Sequence, residues 1–367
     1  MSELKEVELV STGVYLPGEP VPFDKIEEVI GHLDQAPPRI KKMIQKLKPM
    51  TKNLIGVQQC HFAIDRKTGK INESNTSMSV KAIRDALRKC SLIEKDIDLL
   101  VLANPVPDYL MPPTTTLIQE ELGIKNCTEF EIHSNCTGVS KALEVAHNAL
   151  MTGKNKVAAV VYSQLSSIYI KSDSYCQDKM GMENLLLRWF LADGAGAVIL
   201  RSTETKPRIS VTHVYNESVG GDRPMSMWLK LGAKNFNLPI TFQEGLHHFS
   251  QDYRAVNEIV PEVVSQAFLE LYKRAGIQER DVALKLATVP SIFQVERVKK
   301  VLKEKYSHNI NNFYSNVDLK GYCGGASVLI TLDEIIDKEI LKSGQILSCI
   351  TIESSKWMVG GFIIKRS

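Results

Sequence analysis

Apolar residues recur at helical spacing at Val139, Ala142, Leu143, Ala146 and Leu150, and Gly153 closes the pattern. This predicts an amphipathic helix opening just after Cys136. The residues before it, Glu131-Ile132-His133-Ser134-Asn135, read as the end of a short extended run, so Cys136 falls at a strand-to-helix turn. Two other segments share a pattern. Arg88 to Leu100 leads to Asn104-Pro105, and Lys273 to Leu284 leads to Val289-Pro290; each reads as a helix end, a short turn and a buried strand closed by proline. A second echo pairs Cys136-Thr137-Gly138-Val139-Ser140 with Cys323-Gly324-Gly325-Ala326-Ser327, both opening an apolar helical stretch. A third sets Asp193-Gly194-Ala195-Gly196-Ala197-Val198-Ile199-Leu200 against Val359-Gly360-Gly361-Phe362-Ile363-Ile364. Three matches in the same order predict two similar α/β halves, each around a largely buried sheet. Their expected extents are residues 1–205 and 206–367, meeting at the polar connection Ser202-Thr203-Glu204-Thr205-Lys206-Pro207.

Two stretches lack this regularity. Residues 208–250 show weak periodicity and several glycines, which predicts a loop-rich segment. Residues 33–56 read as irregular, with Pro37-Pro38 ahead of Lys41, Lys42, Lys46, Lys48 and Lys52. Those lysines are either a solvated helix face or a docking patch for an acidic carrier protein or the phosphates of coenzyme A.

A chain of 367 residues, 44% hydrophobic and 24% charged, has the composition of a soluble globular protein with sizeable cores. Its formal net charge of +3 is too small to suggest a nucleic-acid partner. No apolar run approaches the roughly 20 residues of a membrane span, and Met1-Ser2-Glu3-Leu4-Lys5-Glu6 does not resemble a signal peptide. Seven cysteines without framework spacing fit reduced thiols and a cytoplasmic location. The eight histidines show no metal-ligand spacing, and Asp193-Gly194-Ala195-Gly196-Ala197 lacks the spacing of a dinucleotide loop. Neither a bound metal nor a bound cofactor is expected.

The chemistry then rests on Cys136. A thiol facing the unpaired N–H groups of a helix N-terminus is expected to have its pKa pulled from about 8.5 to roughly 3.5–7.5, making a nucleophilic thiolate. The competing reading is a buried structural cysteine.

Pro107-Asp108-Tyr109-Leu110-Met111-Pro112-Pro113-Thr114, the Cys136 turn and Leu191-Ala192-Asp193-Gly194-Ala195-Gly196-Ala197 follow one another at characteristic distances. With Asn316-Val317-Asp318, Gly324-Gly325-Ala326-Ser327 and Leu332-Asp333-Glu334, the ordered set resembles the β-ketoacyl-acyl-carrier-protein synthase III branch of the thiolase superfamily. The resemblance spans nearly the whole chain. It implies a five-layered α/β/α/β/α fold of two pseudo-related halves, usually a homodimer. It also implies that Cys136 takes an acyl group from acyl-CoA or a phosphopantetheinyl acyl carrier protein.

The resemblance further implies an oxyanion site made by the amide of Cys136 and a glycine-rich loop, here Ser354 to Gly361, with Gly360 and Gly361 as the candidate glycines. Close packing of a strand explains those two glycines equally well. Condensing members of the family add a histidine after a Val-Pro pair and an asparagine after a glycine. Here Ser291 follows Val289-Pro290, and Tyr322 follows Gly321. Ser291 and Tyr322 are therefore the candidate partners of Cys136, and decarboxylation by the usual route is not expected. His133 is expected on the opposite strand face from Cys136, while His213, His247 and His248 fall in the segment that often shapes such pockets. Cys323 reads as a buried spectator. The family holds the adenine with a tryptophan and an arginine near residues 35–55; here no tryptophan precedes Trp189 and lysines dominate that stretch, leaving Lys41, Lys42 and Lys46 as donor-docking candidates. Three functions follow: acyl transfer without decarboxylation, a decarboxylating synthase with a rearranged catalytic set, or a non-catalytic subunit paired with a homologue.

Overall fold

Strands in the computed structural model, which describes residues 4–367, run where the sequence is most continuously apolar. Nine of them form one mixed sheet: β1 (Glu6–Tyr15), β2 (Leu99–Asn104), β3 (Thr128–His133), β4 (Val157–Gln164), β5 (Gly194–Thr203), β6 (Ile209–Ser218), β7 (Val282–Ala287), β8 (Ile346–Glu353) and β9 (Met358–Arg366). Their spatial order is β7-β8-β9-β6-β1-β5-β4-β2-β3. Every residue of β2 and β4 is buried, as expected for strands covered on both faces. β1 and β6 meet only at Glu8 and Ser210. On either side the same order recurs: β1-β5-β4-β2 on one, β6-β9-β8-β7 on the other. The first series continues into β3, and the second into a bridge between Lys285 and Phe313.

The principal helices are α1 (Pro38–Ile55), α2 (Asn75–Arg88), α3 (Thr114–Leu122), α4 (Gly138–Met151), α5 (Tyr253–Ala275), α6 (Ile292–Tyr306) and α7 (Ala326–Asp337). α2 and α3 cover one outer face of the sheet system, α5 and α6 the other, and α4 and α7 lie between the two series of strands. That stack is the α/β/α/β/α layering of the thiolase fold.

The echoes in the sequence correspond to equivalent local structures. Each of Ile93 and Gln278 precedes a single 3-10 turn, and its backbone N–H is held by the carboxylate three residues on, Asp96 at 2.9 Å and Asp281 at 2.8 Å. Each turn then feeds a parallel strand, β2 or β7.

Two expectations fail. Residues 33–56 are not irregular, because 38–55 form an 18-residue helix with Pro38 at its first turn. Proline there sets φ for the helix and has no N–H to lose. Its half-buried face carries Met43, Ile44 and Leu47, and Lys48 and Lys52 pair with Glu27 at 2.5 Å and Asp24 at 2.6 Å. Nor is 208–250 loop-rich throughout: 209–218 form the ten-residue strand β6 at the centre of the sheet. Burial along β6 does not alternate, because both faces are partly covered, one of them by α4.

Candidate active site

Cys136 lies between β3 and α4, where the chain turns from strand to helix. Thr137 caps the helix with αR geometry, and Gly138 begins it. A Cβ at Gly138 would sit 2.9 Å from the Ala103 Cβ on β2, so only glycine lets the helix start this close to the sheet. The turn thereby holds the sulfur against the wall of a cavity of about 40 Å³. Phe190, Met227, Phe249, Val256 and Val260 supply apolar wall, and Asn135, Gln251, Tyr322 and Glu353 supply polar atoms. A volume of that size holds one to three water-sized groups.

Tyr322 reaches the sulfur. Its Oη lies 2.9 Å from Cys136 Sγ and 3.4 Å from the carbonyl oxygen of Thr288. The ring packs beside Phe190 with centroids 6.3 Å apart. Cys136 is only 8% exposed, and this overturns the expectation of a lowered thiol pKa. Burial pushes the thiol up to about 12, and the charge of Glu353 adds to that rise. The Tyr322 hydroxyl and the cysteine's own backbone N–H oppose it. A helix N-terminus favours the anion by about a kilocalorie per mole; withdrawing the sulfur from water costs more. The Tyr322 hydroxyl, also buried, is held well above the usual phenol range.

Glu353, at the end of β8, was not singled out by the sequence. Its Oε2 accepts hydrogen bonds from Ser134 Oγ and Thr137 Oγ1, both at 2.7 Å, and its Oε1 accepts one from Ser355 Oγ. These three hydroxyls tie the carboxylate to the turn that carries Cys136. The available signal was an acid ending the otherwise uncharged buried run Leu347 to Ile352.

The remaining candidates lie elsewhere. Ser291 Oγ caps α6 by accepting the Gln294 N–H at 3.3 Å, and the residue is not among those lining the cavity, although the neighbouring Pro290 is. Gly360 and Gly361 sit inside β9, paired with β6 and β8. A Cβ at Gly360 would lie 2.6 Å from the Ser140 Cβ, and one at Gly361 would lie 2.7 Å from the Cys349 carbonyl oxygen. Both glycines serve close packing, and neither lines the cavity; Ser354 of the preceding turn does. Lys41, Lys42 and Lys46 are exposed on α1 and, among the described residues, form no ion pair.

No histidine is among the residues lining the cavity. His133 points away, its Nε2 3.0 Å from the Pro105 carbonyl oxygen. His247 stacks on Phe242 with centroids 4.0 Å apart. His248 Nε2 accepts the Cys176 N–H at 2.9 Å, and burial holds its pKa down at about 4. His213 is on β6, with burial lowering its pKa. Cys323 is fully buried, its Sγ 3.4 Å from the Asp193 carbonyl oxygen. Asp193 is a structural turn residue whose carboxylate accepts from the Ala63 N–H at 2.7 Å and the Ser167 N–H at 2.9 Å. Among the described residues no group of histidines, cysteines and carboxylates could hold a metal ion, and no helix is long and apolar enough to cross a membrane.

Comparison with known proteins agrees with this fold. The family model for 3-oxoacyl-[acyl-carrier-protein (ACP)] synthase III matches residues 130–218, which contain the Cys136 turn. Beta-ketoacyl-[acyl-carrier-protein] synthase III of Clostridium perfringens is 25% identical over 349 residues, 93% of this chain and 94% of that one. Among solved structures, the tetronic acid condensing enzyme AbyA1 superposes with a TM-score of 0.79 at 23% identity, covering 98% of this chain and 99% of its own. The 3-oxoacyl-[acyl-carrier-protein] synthase III of Aquifex aeolicus VF5 gives 0.75 at 19% identity, with the same coverages. In sequence this chain is similar to the β-ketoacyl-acyl-carrier-protein synthases III, whose family model matches the segment around Cys136, and it shares their thiolase-like fold.

Proposed function

We propose that the protein is an acyltransferase that forms an acyl-thioester on Cys136 and passes the acyl group to an acceptor without decarboxylative condensation. The observation that carries this reading is the pairing of Cys136 Sγ with Tyr322 Oη at 2.9 Å in the wall of an apolar cavity lined by no histidine. Stabilising the enolate left by departing carbon dioxide needs donors aimed at the thioester oxygen. A tyrosine hydroxyl already shared between a sulfur and the Thr288 carbonyl is poorly disposed to supply one. Attack by the sulfur on a thioester and transfer to a second nucleophile needs no such group.

The donor is an acyl-CoA or an acyl carrier protein. The unpaired Lys41, Lys42 and Lys46 on α1 supply the positive charge either would meet. Homodimerisation is part of the proposal. β3 is the open edge of the sheet and carries the 41% exposed Phe130, and the nearby loop exposes Tyr109, Leu110 and Met111. Seven unpaired cysteines are in keeping with a reducing compartment.

A second reading, a non-catalytic subunit supporting a homologous partner, draws on one observation: the thiol is pushed up to about 12. The test separating these from a rearranged synthase offers the acyl-enzyme a malonyl thioester and, separately, simple amines and alcohols. Transfer to the latter with no release of carbon dioxide from the former is the expected result. Condensation with malonyl thioester would establish the synthase instead, and failure to form any acyl-enzyme would favour the subunit.

A further inference from the structure

The buried carboxylate beside Cys136 has capacity left over. An ionised carboxylate offers about four lone-pair positions. In Glu353, Oε2 uses two, for Ser134 and Thr137, and Oε1 uses one, for Ser355. One position on Oε1 remains, and Glu353 lines the same cavity as Cys136 while being only 5% exposed. Among the described residues no cation pairs with it. The neighbouring Lys141 Nζ binds Ser134 Oγ at 2.9 Å instead, one hydroxyl removed from the carboxylate. A buried anion without a cation is costly, and three hydroxyl donors meet only part of that cost. Such a group favours a ligand that brings a proton or a positive charge.

We propose that Glu353 is the base that receives the acceptor's proton when the acyl group leaves Cys136, and that the acceptor is an amine. This rests on the acyl-enzyme reading given above. The ammonium form of the acceptor neutralises the carboxylate on entry and gives it one proton. The freed nitrogen lone pair then attacks the thioester carbonyl carbon, the new C–N bond forms, and the C–S bond breaks with its electron pair passing to Sγ. Of the two protons shed by the nitrogen, one held by Glu353 returns to Sγ and restores the thiol and the carboxylate. The other leaves to solvent with the amide product. No oxidant, metal or further co-reactant is required. Tyr322, already bonded to Sγ, stabilises the departing sulfur.

The alternative is that the carboxylate only ties Ser134 and Thr137 to β8. The two roles differ in which half-reaction depends on the charge. Glu353→Gln keeps the size and a hydrogen-bonding oxygen but cannot take a proton, and removing the charge also removes a force raising the Cys136 pKa. Intact-protein mass after mixing with an acyl-CoA measures acylation, and decay of that adduct with propylamine or propanol measures transfer. The expected result is an unimpaired acylation rate and a loss of aminolysis of about 100-fold or more, the usual scale for a general base. Propanol should be a poorer acceptor than propylamine for the wild-type protein.

Wild-type rates of aminolysis in Glu353→Gln would overturn the proposal, as would an equal fall in both half-reactions, which marks a structural role. Preference for propanol would overturn the choice of amine. A wild-type protein that gains no acyl mass would sink the acyl-enzyme reading and this proposal with it. An adduct whose decay ignores residue 353 would sink this proposal alone.

Discussion

Replacing Tyr322 by phenylalanine removes one atom from the site and tests whether the hydroxyl governs the sulfur. Tyr322 is 6% exposed and its ring packs beside Phe190, so phenylalanine keeps the packing. Lost are the 2.9 Å contact to Cys136 Sγ and the 3.4 Å contact to the Thr288 carbonyl. A hydrogen bond to a charged group contributes about 1.5–3 kcal/mol and one between neutral groups about 0.5–1.5 kcal/mol. The thiolate therefore loses about 1–1.5 kcal/mol more than the thiol. The contact lowers the thiol pKa, so its loss raises a value already near 12. At any pH below that value the thiolate fraction falls, by about tenfold at 1.4 kcal/mol per decade. Iodoacetamide alkylation at pH 8 reads this directly. Peptide mass analysis separates Cys136 from the less buried Cys90, Cys127 and Cys176. An alkylation rate in Tyr322→Phe equal to or above that of the parent protein would refute the assignment of the hydroxyl to thiolate stabilisation.

Three further outcomes follow from the geometry. Ser291→Ala should cost about 1 kcal/mol of stability through the lost cap of α6, read by chemical denaturation, while leaving the acylation rate unchanged; a large fall in acylation would return Ser291 to the catalytic set. Combined alanine substitution of Lys41, Lys42 and Lys46 should raise KM for the thioester donor about five- to tenfold at low salt, leave kcat alone, and lose its effect at high salt; unchanged KM would remove α1 from donor docking. Burial raises the Asp193 carboxyl to about 6, so the folded protein holds that proton more tightly than the unfolded chain. Its contribution is fully present below about pH 4 and is lost as pH rises through 6, by about 3 kcal/mol. The stability difference between the parent protein and Asp193→Asn should move that far in favour of asparagine from pH 4 to 7, and a flat difference would contradict it.

The position of Cys136 was legible because the determinants of its turn are local: an extended run, a glycine that admits the helix, and apolar residues at helical spacing. The repeated turns before β2 and β7 were legible for the same reason, each being fixed by an acid three residues along. The environment of the sulfur was not. Its burial comes from Met227, Phe249, Val256, Tyr322 and Glu353, which lie far from residue 136 in sequence, and that burial reverses the sign of the pKa shift inferred from the helix end alone. α1 was hidden by Pro37-Pro38, which marked the stretch as irregular although Pro38 sits where a helix tolerates it. Ser291 was placed in the site by its position after Val289-Pro290. The structure spends its hydroxyl on capping α6, a local demand that competes for the same side chain.

The central claim is that Cys136, despite its burial, carries an acyl group during turnover. The most direct test is intact-protein mass after incubation with a panel of acyl-CoA and acyl-carrier-protein thioesters, with Cys136→Ala treated in parallel. A gain of one acyl group, located to the peptide containing Cys136 and absent from the variant, is the predicted result. No gain with any donor, or an equal gain in Cys136→Ala, would contradict the account.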